Sequence, residues 1–116
     1  MRPRFVALVV LMSAIASASE VATRPEDYTV AEIWGTCMVP LLKNGQLVLV
    51  DHAVKFDEVK VGEVITFRFR GRVYAHRVIA IRTAGNGEKY FTTKGDNVSP
   101  RETVTQADFI GRIETE

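Results

Sequence analysis

The alternation of side chains between residues 61 and 82 limits the fold of this chain more than any other feature. From residue 65 to residue 70, apolar and polar side chains alternate, which is the period of a half-buried strand. After Gly71, two interleaved sets of residues again fall on opposite faces. The apolar positions of the first half are Ile65, Phe67 and Phe69, and Tyr74, His76 and Val78 share one face of the second. The pattern predicts two antiparallel strands joined at Gly71.

Further short strands are predicted on both sides of this pair. "QLVLVD" (46–51) follows the turn signal "KNG", "KYFTTK" (89–94) follows "TAGNGE", and "DFIGRI" (108–113) ends the series. Residues 95–102, "GDNVSPRE", read as a polar loop. No helical spacing is sustained after residue 20. The predicted fold is therefore mainly β, with antiparallel sheets forming a small barrel-like domain.

The N-terminus has a different character. "MRPR" carries two arginines, and residues 5–19 contain no charged side chain. A basic start before an apolar run is typical of an export segment, predicted here as an apolar helix. The run is shorter than the roughly 20 residues that a membrane span requires. It ends near the small-residue triplet "ASA", which is a plausible cleavage pattern.

Three interpretations of this segment remain open: a cleaved signal peptide, a short uncleaved membrane anchor, and a buried helix, in that order of preference. The predicted organisation is a signal peptide or anchor at 1–19, a linker at 20–28 and a folded domain at 29–116. The first two interpretations place the domain outside the cytoplasm, in the periplasm or on the outer face of a membrane.

Composition excludes several kinds of site. A chain of 116 residues forms one domain, and a net charge of +1 gives no reason to expect a nucleic-acid partner. One cysteine cannot form an internal disulfide or a cysteine-cluster zinc site. The two histidines, His52 and His76, lie far apart without ligand-type spacing, so a metal site is not expected.

The candidate reactive groups are Cys37, His76 and Asp96. A thiolate is a strong nucleophile, a histidine can take the proton of the thiol, and a carboxylate can orient the histidine. Each residue taken alone also has a structural interpretation. Cys37 could be a small buried apolar residue, His76 a half-buried strand residue, and Asp96 a turn residue.

Four consecutive blocks of the sequence resemble the type I signal peptidase family, the S26 class of peptidases. "GTCMVPLLKNGQLVLV" resembles the nucleophile box, and "VKVGEVITFRF" the box after it. "YAHRVIAI" resembles the box of the general base, and "YFTTKGDNVSP" the Lys-Gly-Asp-Asn box. Together with the closing "DFIGRI", the resemblance covers residues 33–113, and the order and spacing of the blocks make it fairly specific.

The resemblance implies a role for each reactive group. Cys37 stands where the family has a nucleophilic serine. His76 stands at the general base, which is histidine in the endoplasmic-reticulum branch and lysine in the common bacterial enzymes. Asp96 matches the aspartate associated with that histidine. No metal or organic cofactor is implied.

Four neighbouring residues are implied to support the nucleophile. The backbone N–H of the nucleophile would donate to the oxyanion, and a second donor would come from the region of Gly35 or from the Thr36 hydroxyl. Met38 and Pro40 belong to the conserved form of the nucleophile box. The sequence departs from the family pattern at the nucleophile itself and at three packing positions, namely Leu41, Gln46 and Val98.

The implied function is that of an endopeptidase that cleaves exported precursor proteins after small residues through an acyl-enzyme. Its implied partners are the precursor and the membrane surface. Two alternatives remain: an inactive exported peptide-binding or assembly module of the same fold, and a maturation protease dedicated to one partner. The S24 self-cleaving repressors share a similar nucleophile loop, but they use a lysine base and carry a DNA-binding domain that this sequence does not resemble.

Overall fold

The computed structural model describes residues 5–7 and 24–115. It contains one eight-stranded antiparallel sheet with the strand order β1-β2-β3-β8-β4-β5-β6-β7, curved into a half-barrel. The strands are β1 (Phe5–Ala7), β2 (Tyr28–Glu32), β3 (Leu47–Asp51), β4 (Val64–Phe69), β5 (Arg72–Thr83), β6 (Lys89–Lys94), β7 (Arg101–Val104) and β8 (Phe109–Ile113). Three single 3-10 turns, Pro25–Asp27, Phe56–Glu58 and Gln106–Asp108, precede β2, β4 and β8.

The β4–β5 hairpin is closed by a two-residue turn at Arg70 and Gly71. Both residues have positive φ, 52° and 77° respectively, which is the requirement of a type I′ turn. Phe69 pairs with Arg72 on either side of the turn. The prediction of two strands joined at Gly71 is confirmed.

Two apolar clusters form the core on the two faces of the sheet. Residues that pair directly across antiparallel strands project to the same face, so the pairs Ile65–His76 and Val78–Thr93 share one face. That face packs against Phe56, Val59, Phe67, Phe91 and Val104. The opposite face carries the other cluster: Ala31, Ile33, Met38, Leu42, Val48, Val50, Val64, Ala75 and Ile113.

The mainly β, antiparallel fold class is confirmed, and three strands that the sequence did not indicate complete it: β1, β2 and β7. β2 begins at Tyr28, the last residue of the predicted linker, and β7 begins inside the predicted polar loop at Arg101. Both contain charged residues and lie near the edges of the sheet, where a strand need not be apolar throughout.

The predicted N-terminal apolar helix is not supported. Phe5–Ala7 form a strand that pairs antiparallel with Thr29–Ala31 of β2, and the rest of the segment lies outside the described residues. In the described part of the chain, no helix has the length and apolar character needed to cross a membrane.

Candidate active site

Cys37 lies on the loop that connects β2 to β3. Gly35 opens the loop with a φ of 102°, a conformation that glycine adopts without a steric penalty. Its N–H donates to the side-chain oxygen of Asn44 at 2.7 Å, which ties the start of the loop to its end. The Val39–Pro40 peptide bond is cis, and Pro40 is exposed.

The loop that follows β6 holds the Cys37 loop in place. The N–H of Asn97 donates to the Cys37 carbonyl at 2.8 Å, and its side-chain amide donates to the Thr36 carbonyl at 3.3 Å. The N–H of Asp96 donates to the sulfur of Met38 at 3.3 Å. Met38 is itself buried in the core, so the residues on both sides of Cys37 are fixed while Cys37 remains half-buried.

Gly95 permits the close approach of these two loops. A Cβ atom at this position would lie 2.9 Å from the Cys37 carbonyl oxygen, 3.1 Å from the Cys37 Cβ and 2.7 Å from the Val98 Cγ2. Cys37 therefore occupies the space that a side chain at residue 95 would fill.

We expect Gly95→Ala to displace Cys37 and to reduce any activity that depends on its position. A shift of about 1 Å in a reacting group can cost about a hundredfold in rate. Gly85→Ala is the matched control, because no atom lies within 4 Å of a Cβ at Gly85. Alkylation rates of Cys37 and rates of peptide cleavage check the prediction; equal rates in both variants would contradict it.

His76 on β5 is held by a carboxylate on β7, two strands away in the sheet. It is 3% exposed, and its Nδ1 lies 2.8 Å from the Oε1 of Glu102. The Thr93 hydroxyl donates to the same oxygen at 2.8 Å. Because an ionised carboxylate only accepts hydrogen bonds, this contact places a proton on Nδ1 and leaves the lone pair of the neutral ring on Nε2.

The Nε2 atom of His76 is buried and has no hydrogen-bond partner. Most buried polar side-chain atoms are paired, so an unpaired one calls for an explanation. The rings of Phe67 and Tyr74 pack around the imidazole at centroid distances of 6.0 and 5.6 Å. The imidazole is therefore oriented through Nδ1, while Nε2 is left without a partner and can accept a proton.

The loop contacts bring Cys37 next to Gly95, at the end of β6 that lies beside His76. Arg77 of β5 pairs with Lys94 of β6. Extended by one residue, this antiparallel register places His76 opposite Gly95. Thr93 lies two residues before Gly95. Its hydroxyl and the Nδ1 atom of His76 are both hydrogen-bonded to the same carboxylate oxygen of Glu102. Cys37 packs against Gly95, and no hydrogen bond joins its thiol to Nε2 in this structure.

The sequence predicts Asp96 behind the imidazole ring, but in this structure its carboxylate is bonded to Arg77 and makes no hydrogen bond to His76. Its two carboxylate oxygens accept from the Nε and an Nη of Arg77 at 2.9 and 2.7 Å, and a third donor of Arg77 binds the Gly62 carbonyl at 2.7 Å. The hydrogen bonds from Arg77 hold the pKa of Asp96 below its usual value. The carboxylate on His76 is Glu102 instead.

The Arg77–Asp96 pair predicts a pH-dependent contribution to stability. Because the pKa of Asp96 is lowered in the folded state, the pair stabilises the fold above the unfolded pKa of about 3.9, and this is lost as pH falls toward the folded value. At pH 7, Asp96→Asn should lower the free energy of unfolding by about 1 kcal/mol. Urea unfolding of both proteins at pH 7 and pH 3 checks this; a difference that does not shrink at pH 3 would contradict it.

Glu102 is the site residue that sequence reasoning missed. The sequence predicts a polar loop at this residue, whereas Glu102 lies on β7 directly opposite Thr93. The alternation of Glu102 and Val104 with exposed Arg101 and Thr103 is the only local signal for a strand here. The contact between Glu102 and His76 depends on how β5, β6 and β7 align with one another. Local alternation within β7 does not predict that alignment.

The described residues contain no group of three His, Cys, Asp or Glu side chains that could bind a metal ion. Three surface clefts, of about 700, 520 and 370 Å³, are lined by residues other than Cys37 and His76. The reactive side chains that the structure describes in this region are a half-buried thiol, Cys37, and an oriented imidazole, His76.

Comparison with known proteins gives concordant matches. Residues 6–113 match the family model described as Peptidase S24-like. The human signal peptidase complex catalytic subunit SEC11C is 34% identical over 79 residues, which is 66% of this chain and 40% of the relative. Signal peptidase I W of Bacillus subtilis (strain 168) is 28% identical over 107 residues, 90% of this chain and 56% of the relative. The chain thus spans about half the length of these relatives or less.

Proposed function

Because this chain belongs to the Peptidase S24-like family and is similar to signal peptidases, we propose that it is a signal-peptidase-like endopeptidase with Cys37 as its nucleophile. His76 is the general base. Glu102 orients His76, and Asp96 positions the Cys37 loop through its pairing with Arg77. The substrate is an exported precursor protein cut after small residues, at the outer face of a membrane.

One observation carries the proposal: the Nε2 of His76 is buried and unpaired, while Nδ1 is fixed by Glu102. A structural histidine in a core gains nothing from an unsatisfied nitrogen, since leaving a buried acceptor unpaired costs about 1–3 kcal/mol. A general base requires this arrangement, because the nitrogen must be free to receive the proton of the nucleophile.

The first half of the reaction acylates the enzyme. Nε2 takes the proton of the Cys37 thiol, and the sulfur attacks the scissile carbonyl carbon to form a C–S bond. As the tetrahedral intermediate collapses, the C–N bond breaks and the leaving amine takes the proton from Nε2. The product is a thioester at Cys37. This step requires the thiol to come within hydrogen-bond reach of Nε2, and such catalytic contacts often tighten only when substrate binds.

The second half hydrolyses the thioester. Nε2 takes a proton from water, the water oxygen attacks the thioester carbonyl, and the C–S bond breaks. The sulfur regains its proton from Nε2, which returns the enzyme to its starting state. Throughout, Glu102 remains ionised and stabilises the protonated imidazole through Nδ1.

Oxyanion stabilisation is proposed to come from the Cys37 loop. The backbone N–H of Cys37 is one donor, and the exposed Thr36 can supply its hydroxyl as a second. The N–H of Gly35 is already bonded to Asn44, so Gly35 contributes the shape of the loop. Met38 and Pro40 hold the loop on the side away from Thr36.

Incubation of the full chain with a precursor peptide that carries an Ala-x-Ala site tests the proposed function. We expect cleavage after the second alanine, identified by the masses of the two fragments. A matched peptide with phenylalanine in place of both alanines should remain intact. Failure to cut while still binding the Ala-x-Ala peptide would favour the alternative of an inactive peptide-binding module.

A further inference from the structure

The tip of the β4–β5 hairpin carries three arginines that form no ion pair with any residue the structure describes. Arg68, Arg70 and Arg72 are exposed, and no carboxylate of the described residues lies within ion-pair distance of any of them. By contrast, Arg77 and Arg112 are both bound to carboxylates. The charge at the tip is local, because the whole chain has a net charge of only +1.

The backbone conformation of Arg70 is unfavourable for an arginine, which points to a role for its positive charge. Its φ is 52°, in a left-handed region that Asn, Asp or Gly occupies at lower cost in a type I′ turn. An arginine there gains no compensating ion pair. Its guanidinium lies over the ring of Phe69, 5.1 Å from the centroid, a cation–π contact that leaves the charge at the surface.

The three guanidinium groups surround the tip and do not converge on one point. Arg72 pairs with Phe69 and Arg68 with Val73, so Arg68 and Arg72 project from opposite faces of the hairpin while Arg70 stands at its end. None of the three lines the clefts described above. This spread suits an extended anionic surface better than a single phosphate or carboxylate.

Aromatic rings stand directly behind the arginines. Phe69 and Tyr74 are half-buried and pack edge to face at 6.1 Å. Arginines at a tip backed by partly exposed aromatic rings have the composition of segments that rest at the headgroup level of a bilayer.

We infer that the tip formed by Arg68, Arg70 and Arg72 docks on anionic phospholipid headgroups. The inference deepens the proposed function, since it rests on a domain that works at a membrane surface. Arg72 and His76 share a face of β5 four residues apart, which is about 13 Å along the strand. Docking through the tip would thus hold the reactive face close to the lipid surface.

Residue-resolved arginine modification tests the inference on the full chain. The protein is reconstituted in vesicles of phosphatidylcholine alone or with phosphatidylglycerol, and labelled with phenylglyoxal. Mass spectrometry then gives the modification rate of each arginine. We expect the three tip arginines to be protected severalfold only in the anionic vesicles, while exposed Arg82, at the far end of β5, reacts equally in both.

Variants make the test quantitative. Replacing the three tip arginines by glutamine should weaken binding to anionic vesicles by roughly a hundredfold, because each basic residue near such a surface contributes about fivefold. The control replaces three exposed cations elsewhere, Lys60, Arg82 and Lys89, by glutamine, with the same change in net charge. Its binding should fall far less.

The outcomes separate this inference from the proposed function. Equal modification of the tip in both kinds of vesicle would overturn the inference, as would equal losses in the two triple variants. Protection by a soluble acidic peptide but not by anionic vesicles would replace the membrane with a protein partner. Cys37→Ala should leave tip protection unchanged, so the result does not depend on catalysis.

Discussion

Cys37→Ala removes cleavage of an Ala-x-Ala precursor, and Cys37→Ser retains a measurable part of it. Alanine leaves the loop and its contacts with Gly95 and Asn97 intact but supplies no nucleophile, so we expect a loss on the order of 10⁴-fold or more. Serine places a hydroxyl near Nε2, and a histidine base can activate either group. Rates come from the appearance of the N-terminal fragment.

Two controls accompany this series. Urea unfolding should show that both Cys37 variants are as stable as the parent within about 0.5 kcal/mol, as expected for a half-buried position. Intact-mass measurement during turnover should find the acyl group on the parent and the serine variant only. Equal cleavage by all three proteins would remove Cys37 from the mechanism.

Glu102→Gln is expected to have the second largest effect, on the order of a thousandfold in kcat. The glutamine side chain can donate its amide N–H to Nδ1, which would favour the ring form with its proton on Nε2. That form cannot accept the thiol proton. Because Glu102 acts through His76 and does not touch the substrate, KM should change little.

Conservative variants distinguish this positioning role from a purely structural one. Glu102→Asp keeps the carboxylate and should recover part of the activity. Thr93→Val removes only the hydroxyl that donates to Glu102 and should cost far less than Glu102→Gln. A pH–rate profile that is identical in parent and Glu102→Gln, at equal kcat, would contradict the assigned role.

Local sequence patterns were sufficient for most of the sheet. The alternation in β4 and β5 and the glycine-rich turns around them predicted these strands, because side chains on a half-buried strand must alternate between core and solvent. β3, β6 and β8 followed from short β-branched or aromatic runs. β7 was missed because an edge strand can be largely polar, and the strand at Phe5–Ala7 because an apolar run alone does not distinguish strand from helix.

The site was predictable only in part, for a related reason. Cys37 and His76 stood out by residue type and by their blocks, and their pairing as nucleophile and base remains a proposal. The carboxylate partner of His76 did not stand out. Asp96 lies in a recognisable block, yet its neighbour Arg77 binds it, and Glu102 reaches His76 only because β5, β6 and β7 align in a particular register. Such a register is a property of the whole sheet.

The rate at which iodoacetamide alkylates Cys37 at pH 7, in the parent and in His76→Ala, tests the pairing of thiol and imidazole most directly. The rate needs no knowledge of the natural substrate. We expect rapid alkylation in the parent and a rate at least about tenfold lower in the variant, since the alanine cannot accept the thiol proton. Equal rates in two folded proteins would contradict the account.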